Sequence, residues 1–444
     1  LCGTTLITLL HYYFTRLPMR LFFPLLLLLF SLSLSAQQEK KPLTLGKWEI
    51  TPILGFQGWA TYTHGTKEYD TALGQYIDVD DRLNFLVRRL RWGSTAKMGD
   101  RLLVKFVGAV DWLAEDQRSG PVGGVNFGAF PPAQVWDIYA QYKLTPNSEG
   151  LYVIGGYLRP PVGRESISGA FGVSSFEKSF SQWYLRTHLV GTGPGAAGGM
   201  YFGGLQHLSD KVHLDYRGGV FNPQNNGISA GRLASPLFTA RVSMALGDAE
   251  RETWAHGLPA ANAFGKRNTV ALALSLASEG PTDAAPGGVN VLGVDGVITQ
   301  GQFHLEGEYH LMGRKAPGTP DLTNVTYLLR GGFNIDLTPT APVSEKRYLE
   351  PSLLVYGYNG TLDLEEYETV LAASSFGGEE QVINVGLNYH LRPGKVRLGL
   401  HYTAFTGERG DLPPAGRLSQ FWQQPGIGGI QRGNYAGLEI ILIY

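Results

Sequence analysis

From about residue 40 onward the sequence alternates, apolar against polar, one residue at a time. Across 101–112, Leu102, Val104, Phe106, Val110 and Trp112 fall on one side, and Arg101, Lys105 and Asp111 on the other. Trp136, Ile138, Ala140 and Tyr142 oppose Asp137, Tyr139, Gln141 and Lys143. Phe303, Leu305, Gly307, Tyr309 and Leu311 oppose His304, Glu306, Glu308 and His310. Val396, Leu398, Leu400 and Tyr402 oppose Lys395, Arg397, Gly399 and His401. A side-chain period of two is that of a β-strand with one greasy face. Greasy faces of about ten residues that end in Trp or Tyr are suited to lipid, with the aromatic ring at the membrane interface. Past the leader no uninterrupted apolar run approaches the length of a spanning helix. A closed β-barrel is then the only way across a bilayer, because hydrocarbon satisfies no backbone polar group.

Sixteen such segments can be placed, at 48–63, 82–94, 101–112, 134–143, 151–159, 198–208, 211–221, 235–247, 267–278, 289–300, 302–312, 324–337, 347–358, 381–391, 395–405 and 432–444. The even count suits an all-β, 16-stranded antiparallel transmembrane barrel. Its links sort into two sets. Those at 95–100, 144–150, 209–210, 301 and 392–394 are short, as periplasmic turns are, and those at 64–81, 113–133, 160–197, 359–380 and 406–431 are long, as extracellular loops are. The link 248–266 is long yet falls on the short side. At the turn Pro393-Gly394, the alternation sets Leu391 against Val396, Tyr389 against Leu398, Leu387 against Leu400, His390 against Arg397 and Gly386 against His401. A slip by one residue would mix the faces. Ala436, Leu438, Ile440, Leu442 and Tyr444 make a final strand able to close on the first.

Composition agrees where it constrains. Charged residues are 17 % and aromatics 11 %, with 59 Gly in 444 residues, which excludes a disordered chain and suits many strands and turns. A net charge of −1 carries no basic footprint for nucleic acid. Met19-Arg20, the apolar run 21–30 and the small residue Ala36 form a secretory signal peptide over 19–36, with cleavage expected after Ala36. Residues 1–18, which begin with Leu and precede the second start Met19, are expected to be a mis-called upstream extension. They hold the only cysteine, Cys2, so no disulfide or thiolate site is expected in the remainder, 37–444. Loss of Arg16 and Arg20 with the leader takes the net charge from −1 to −3.

Two stretches carry a family resemblance. Gly155-Gly156-Tyr157-Leu158-Arg159-Pro160-Pro161-Val162-Gly163-Arg164-Glu165, followed by Ser174-Ser175-Phe176-Glu177-Lys178-Ser179, resembles the motif of the phosphate-selective porin O and P family. The strand Arg88-Arg89-Leu90-Arg91-Trp92-Gly93 is similar as well. The resemblance is clearest over about 80–190. It implies a homotrimeric bacterial outer-membrane porin whose loop after the fifth strand, about 160–197, folds into the lumen as a constriction. That is also the longest link found by counting strands. Outer-membrane lipid and the barrel-assembly machinery are the implied partners, with small hydrophilic or anionic solutes as cargo and no cofactor.

The constriction candidates are Arg159, Arg164, Glu165, Glu177, Lys178 and Arg186, whose opposed charges can set a field across an eyelet. Equally, Glu165 and Glu177 can pair with Arg164 or Lys178 and fold the loop against the wall. Arg89, Arg91, Lys105, Arg217, Arg241 and Arg397 are expected to line the pore, with Arg101 and Lys395. Asp111, Asp137, Asp215, Glu306, Glu308 and Glu439 share that face. Lys178 stands where the family motif has Arg, a point charge in place of a two-pronged donor. Without a dense arginine ladder, the reading is passive diffusion of small hydrophilic solutes with a weak anion or phosphate preference.

Catalytic patterns lack their context. Gly227-Ile228-Ser229-Ala230-Gly231 needs a strand-to-helix turn to be a nucleophile elbow, and Gly193-Pro194-Gly195-Ala196-Ala197-Gly198 has no following helix. His304, Glu306, Glu308 and His310 share a strand face, but alternate residues lie ~7 Å apart, too far for one ion to gather all four. A closed barrel serving as a docking protein and an outer-membrane lipid hydrolase are the alternative classes.

Overall fold

The computed structural model describes residues 42–120, 132–224, 232–342 and 345–444. The expected leader and upstream extension lie outside the described residues, as does the motif 227–231. Sixteen long strands follow in order: β1 Trp48–His64, β2 Arg82–Met98, β3 Leu102–Leu113, β4 Gln134–Lys143, β5 Tyr152–Leu158, β6 Ala197–Ser209, β7 Val212–Phe221 and β8 Leu237–Gly247. The second half is β9 Thr269–Glu279, β10 Val289–Gln300, β11 Phe303–Arg314, β12 Leu322–Phe333, β13 Tyr348–Asn359, β14 Glu379–Arg392, β15 Val396–Thr406 and β16 Asn434–Ile443. Each pairs antiparallel with the next. β16 pairs with both β15 and β1, so the sheet closes and leaves no edge.

The alternation becomes an inside and an outside. Along β9 every second residue is buried, while Leu272, Leu274 and Leu276 on the other face are 61, 60 and 56 % exposed. Comparable exposed residues recur on the other strands, among them Phe85, Phe202, Leu329, Leu400 and Leu438. In water so extended an apolar patch is not tolerated. Around a closed barrel it is the lipid-facing band.

At the β14–β15 hairpin four of the five expected pairs form, Tyr389–Leu398, Leu387–Leu400, His390–Arg397 and Gly386–His401. The fifth does not. A bulge between His390 and Arg392 sets Arg392 opposite Val396, and Leu391 stays unpaired. Arg101 and Lys395 are exposed, in the turns before β3 and β15, and Lys395 borders a cavity at that rim.

Two other bulges reshape the interior. Gln57 of β1 faces Arg89 while Gly58 faces Val87, so Arg88 is the extra residue of β2. Val107 of β3 faces Asp137 while Gly108 faces Val135, so Trp136 is the extra residue of β4. An extra residue breaks strict alternation and re-aims a side chain. Trp136 and Trp112, both expected on the greasy face, instead border the lumen, Trp112 with φ 61°.

The link from β5 to β6 folds inward and holds α1 Arg164–Ile167 and α2 Ser181–Val190. The link 248–268, from the opposite rim, also folds inward, and its Trp254 and His256 are fully buried. The loop between β13 and β14 carries α3 Leu364–Ala372. Short strands from the first and last long links, among them Lys67–Asp70 and Gly428–Gln431, form a small sheet over one rim.

Candidate functional site

The in-folded loop is tied to the wall at both edges. At Gly163 φ is +71°, and a Cβ there would lie 2.9 Å from the His310 ring, so glycine is required where the loop leaves β5. α2 ends on Gly191, also left-handed at φ 76°, whose N–H donates to the Thr187 carbonyl. Phe176 stacks on Trp59 of β1 at 4.3 Å, and Tyr184 stacks on Tyr358 of β13 at 4.0 Å. Offset stacks of this kind contribute about 0.5–1.5 kcal/mol each beyond the area they bury.

Both loop carboxylates are anchors, with partners that sequence spacing does not suggest. Glu165 accepts two hydrogen bonds from Arg330 of β12, at 2.6 and 3.0 Å, and one from the Ser179 N–H at 2.7 Å. Burial opposes its charge, but Arg330 and Lys178 outweigh burial and hold the carboxyl below the usual carboxylate range. Glu177 accepts from both Arg88 and Arg89 of β2. Neither carboxylate pairs with the Arg164 or Lys178 side chain. Arg164 reaches Glu250 at 2.6 Å and Asp295 at 3.6 Å. The Lys178 ammonium donates to the carbonyls of Glu165 and Ser168. Its burial pulls its pKa well below the usual lysine range, against the pull of Glu165.

Between this loop and the wall of β2–β5 lies a cavity of about 330 Å³. Arg88, Arg89, Arg91, Lys105, Arg159, Lys178 and Arg186 line it, against Asp111, Asp137 and Glu177. That is seven basic and three acidic side chains. Arg88 lies over the Trp112 ring at 3.6 Å and Arg91 over the Trp136 ring at 4.2 Å, which holds two guanidinium planes by cation–π attraction. Arg91 also pairs with Asp111, and Arg159 with Asp137 at 2.9 Å. A smaller cavity of about 110 Å³, bordered by Lys395, Arg397 and Ile443, lies toward the other rim. Phe171 belongs to the lining of both.

The expected residues thus separate into two groups. Arg159, Glu177, Lys178 and Arg186 meet Arg89, Arg91 and Lys105 at the larger cavity. Arg164 and Glu165 lie outside its lining, buried among wall residues. Arg217, Arg241 and Arg397 point inward but are covered and paired, with Asp215 at 2.8 Å, Asp295 at 2.6 Å and Glu439 at 2.6 Å. Strict alternation could not indicate Arg88, Trp112 or Trp136, because bulging and a left-handed residue bring them in. Arg330, which lies on the polar face of its strand, was legible by parity alone.

His304, Glu306, Glu308 and His310 face the lumen but do not converge. His304 bonds to Glu350 at 2.6 Å, Glu306 to Arg330 at 2.6 Å, and Glu308 accepts the Glu165 N–H at 2.9 Å. Among the described residues no His, Cys, Asp and Glu cluster has the geometry to hold a metal ion. Gly193 and Pro194 border the cavity, and the chain then enters β6 rather than a helix.

No protein-family model and no curated protein sequence matches the chain. Among solved structures it is similar to OmpF of Salmonella typhi, in complex with daunomycin, with a TM-score of 0.51 and 10 % identity over 91 % of this chain and 100 % of that one. It is also similar to the outer membrane channel DcaP of Acinetobacter baumannii, with a TM-score of 0.50 and 12 % identity over 90 % and 99 % of the two chains. The likeness is one of fold. With a closed even-numbered barrel and a lipid-facing band, it makes this chain a porin-type, multi-pass β-barrel of the Gram-negative outer membrane.

Proposed function

We propose that this barrel is a passive diffusion pore for small hydrophilic solutes with a preference for anions, and that the cavity beside β2–β5 is its narrowest passage. The carrying observation is charge placement. The chain as a whole is slightly acidic, at −1, yet the cavity wall sets seven basic side chains against three acidic ones. A narrow passage with low-dielectric walls focuses that excess, so an anion entering it is stabilised and a cation repelled. The loop motif around Arg159–Glu165 and Phe176–Ser179 supports kinship with phosphate-selective porins. Most of the arginines here are already paired with carboxylates, which favours weak rather than tight phosphate binding. Trimeric assembly follows from the same kinship, and chemical cross-linking of the detergent-solubilised protein checks it.

The deciding experiment is the reversal potential of single channels in a planar bilayer under a KCl gradient. An anion-selective potential that weakens in Arg89→Ala or Arg91→Ala supports the reading, and a cation-selective one overturns it. Added phosphate that blocks current at low concentration would move the reading to a dedicated phosphate pore. A second reading, a closed barrel used for docking, rests on how much of the lumen the two inward segments occupy. Absence of steps from a folded, heat-modifiable protein would favour it.

A further inference from the structure

A periplasmic turn of a porin-type barrel needs only a few residues, yet 248–268 enters the lumen and is built as a compact body. Arg251 donates to the carbonyls of Ala255 and Gly257, and Arg267 to those of Glu250 and Ala260, so two arginines brace the segment from within. Its outward contacts reach separate parts of the wall. Trp254 stacks on Tyr152 of β5 at 4.9 Å and lies against Gly203 of β6, where any side chain would collide with it. The Trp254 N–H donates to Glu149 at 2.8 Å, and Arg217 of β7 donates to the His256 carbonyl. On the far side Asn262 donates to Glu350 at 3.0 Å and to Asn334 at 2.9 Å, while Phe264 lies edge-on to His390 at 4.9 Å.

The segment also meets the loop that descends from the opposite rim. Leu258 forms a β-bridge to Ser168, with its N–H donating to the Ile167 carbonyl at 3.1 Å. Glu250 holds Arg164 at 2.6 Å. The two inward segments therefore join at mid-lumen and bury Trp254, His256, Leu258 and Asn262. None of the segment's residues lines the basic cavity.

We infer that 248–268 is a second, permanent constriction element that fills the lumen beside β5–β7, so that solute is confined to the basic cavity. On this view the anion preference depends on the segment, although the segment contributes no charge to the cavity. Without it a wider route, bypassing Arg88, Arg89 and Arg91, would open alongside. The inference rests on the pore reading above.

The test replaces 249–267 with Asn-Gly, a two-residue turn suited to a hairpin, and compares single-channel conductance and reversal potential with the parent. The expected result is steps several-fold larger and a reversal potential nearer zero. Unchanged steps and unchanged selectivity in the folded variant overturn the inference and leave the pore reading intact. If the parent is silent and the variant conducts, the plugging role stands and the open-pore reading falls. If both are silent, both fall.

Should the shortened chain not fold, a cysteine pair answers instead. A Cβ at Gly172 would lie 2.9 Å from that of Ala260, near enough for a disulfide after a small adjustment. In Gly172→Cys/Ala260→Cys, a bond that forms readily and leaves conductance unaltered supports a permanent plug. No bond, or a bond that changes the current, overturns it.

Discussion

Arg88 and Arg89 are consecutive, yet both bond to Glu177, because one extra residue in β2 turns the pair to the same side. The result is a carboxylate that neutralises part of the cavity's own charge. Glu177→Gln removes that negative charge while leaving an amide oxygen to accept from the arginines. Its reversal potential should move further toward the anion limit than the parent's, and a shift toward cations would refute the assignment of the passage. Glu115 gives a pH handle. It lies beyond the end of β3, where burial pushes its carboxyl up to about 7 against the opposing pull of Arg88 and Arg432. It is largely neutral at pH 6 and largely charged at pH 8, so anion preference should decline as pH rises through 7. Glu115→Gln should flatten that dependence. A parent profile level between pH 6 and 8 would show that Glu115 does not act on the cavity through Arg88.

At the scale of elements, alternation carried nearly everything that depends on parity. Sixteen strands, their links and four of five pairs at the β14–β15 hairpin follow from which residues are greasy, since a strand with one face in lipid permits one register. A bulge leaves no such mark. It adds one residue without changing composition, so Trp136 looked lipid-facing until the pairing with β3 was known. Long-range partners were equally silent. Glu165 and Arg330 are 165 residues apart, and nothing in either neighbourhood names the other. That pair is one of the loop's ties to the wall, and both its side chains are 1 % exposed. In Glu165→Gln, Arg330 retains Glu306 but loses a charge-assisted bond, which costs about 1.5–3 kcal/mol. Urea titration of the folded barrel in lipid vesicles should register a loss of that size. No loss would leave the loop's docking to Glu177, Arg164 and its aromatic stacks. Phe171 is a different kind of element, a ring set between the two cavities. Phe171→Ala should raise conductance with little change in selectivity, because it widens the passage without altering charge. An unchanged step size would place the route elsewhere.

For the molecule as a whole, lipid and lumen impose opposite demands on the same strands. The outer face needs only greasy residues, so its pattern is simple and visible. The inner face is filled by paired charges, and an interior ion pair is stable only with good geometry and further hydrogen bonds. Arg330, which donates to Glu165, Glu306 and the Ser175 hydroxyl, meets that condition, and Arg241 grips Asp295 with two hydrogen bonds. Such a web is rigid and nearly neutral, so most lumenal arginines contribute structure rather than selectivity. Selectivity is left to the local excess in one cavity, and a local excess is open to screening. The Debye length falls from about 10 Å at 0.1 M salt to about 3 Å at 1 M. At a fixed KCl concentration ratio across the bilayer, the anion-to-cation permeability ratio should therefore drop several-fold when the mean concentration is raised from about 0.1 to about 1 M. A ratio that held constant would mean that anions are chosen by direct coordination at fixed donors, as in a dedicated binding site, and not by the field of the passage.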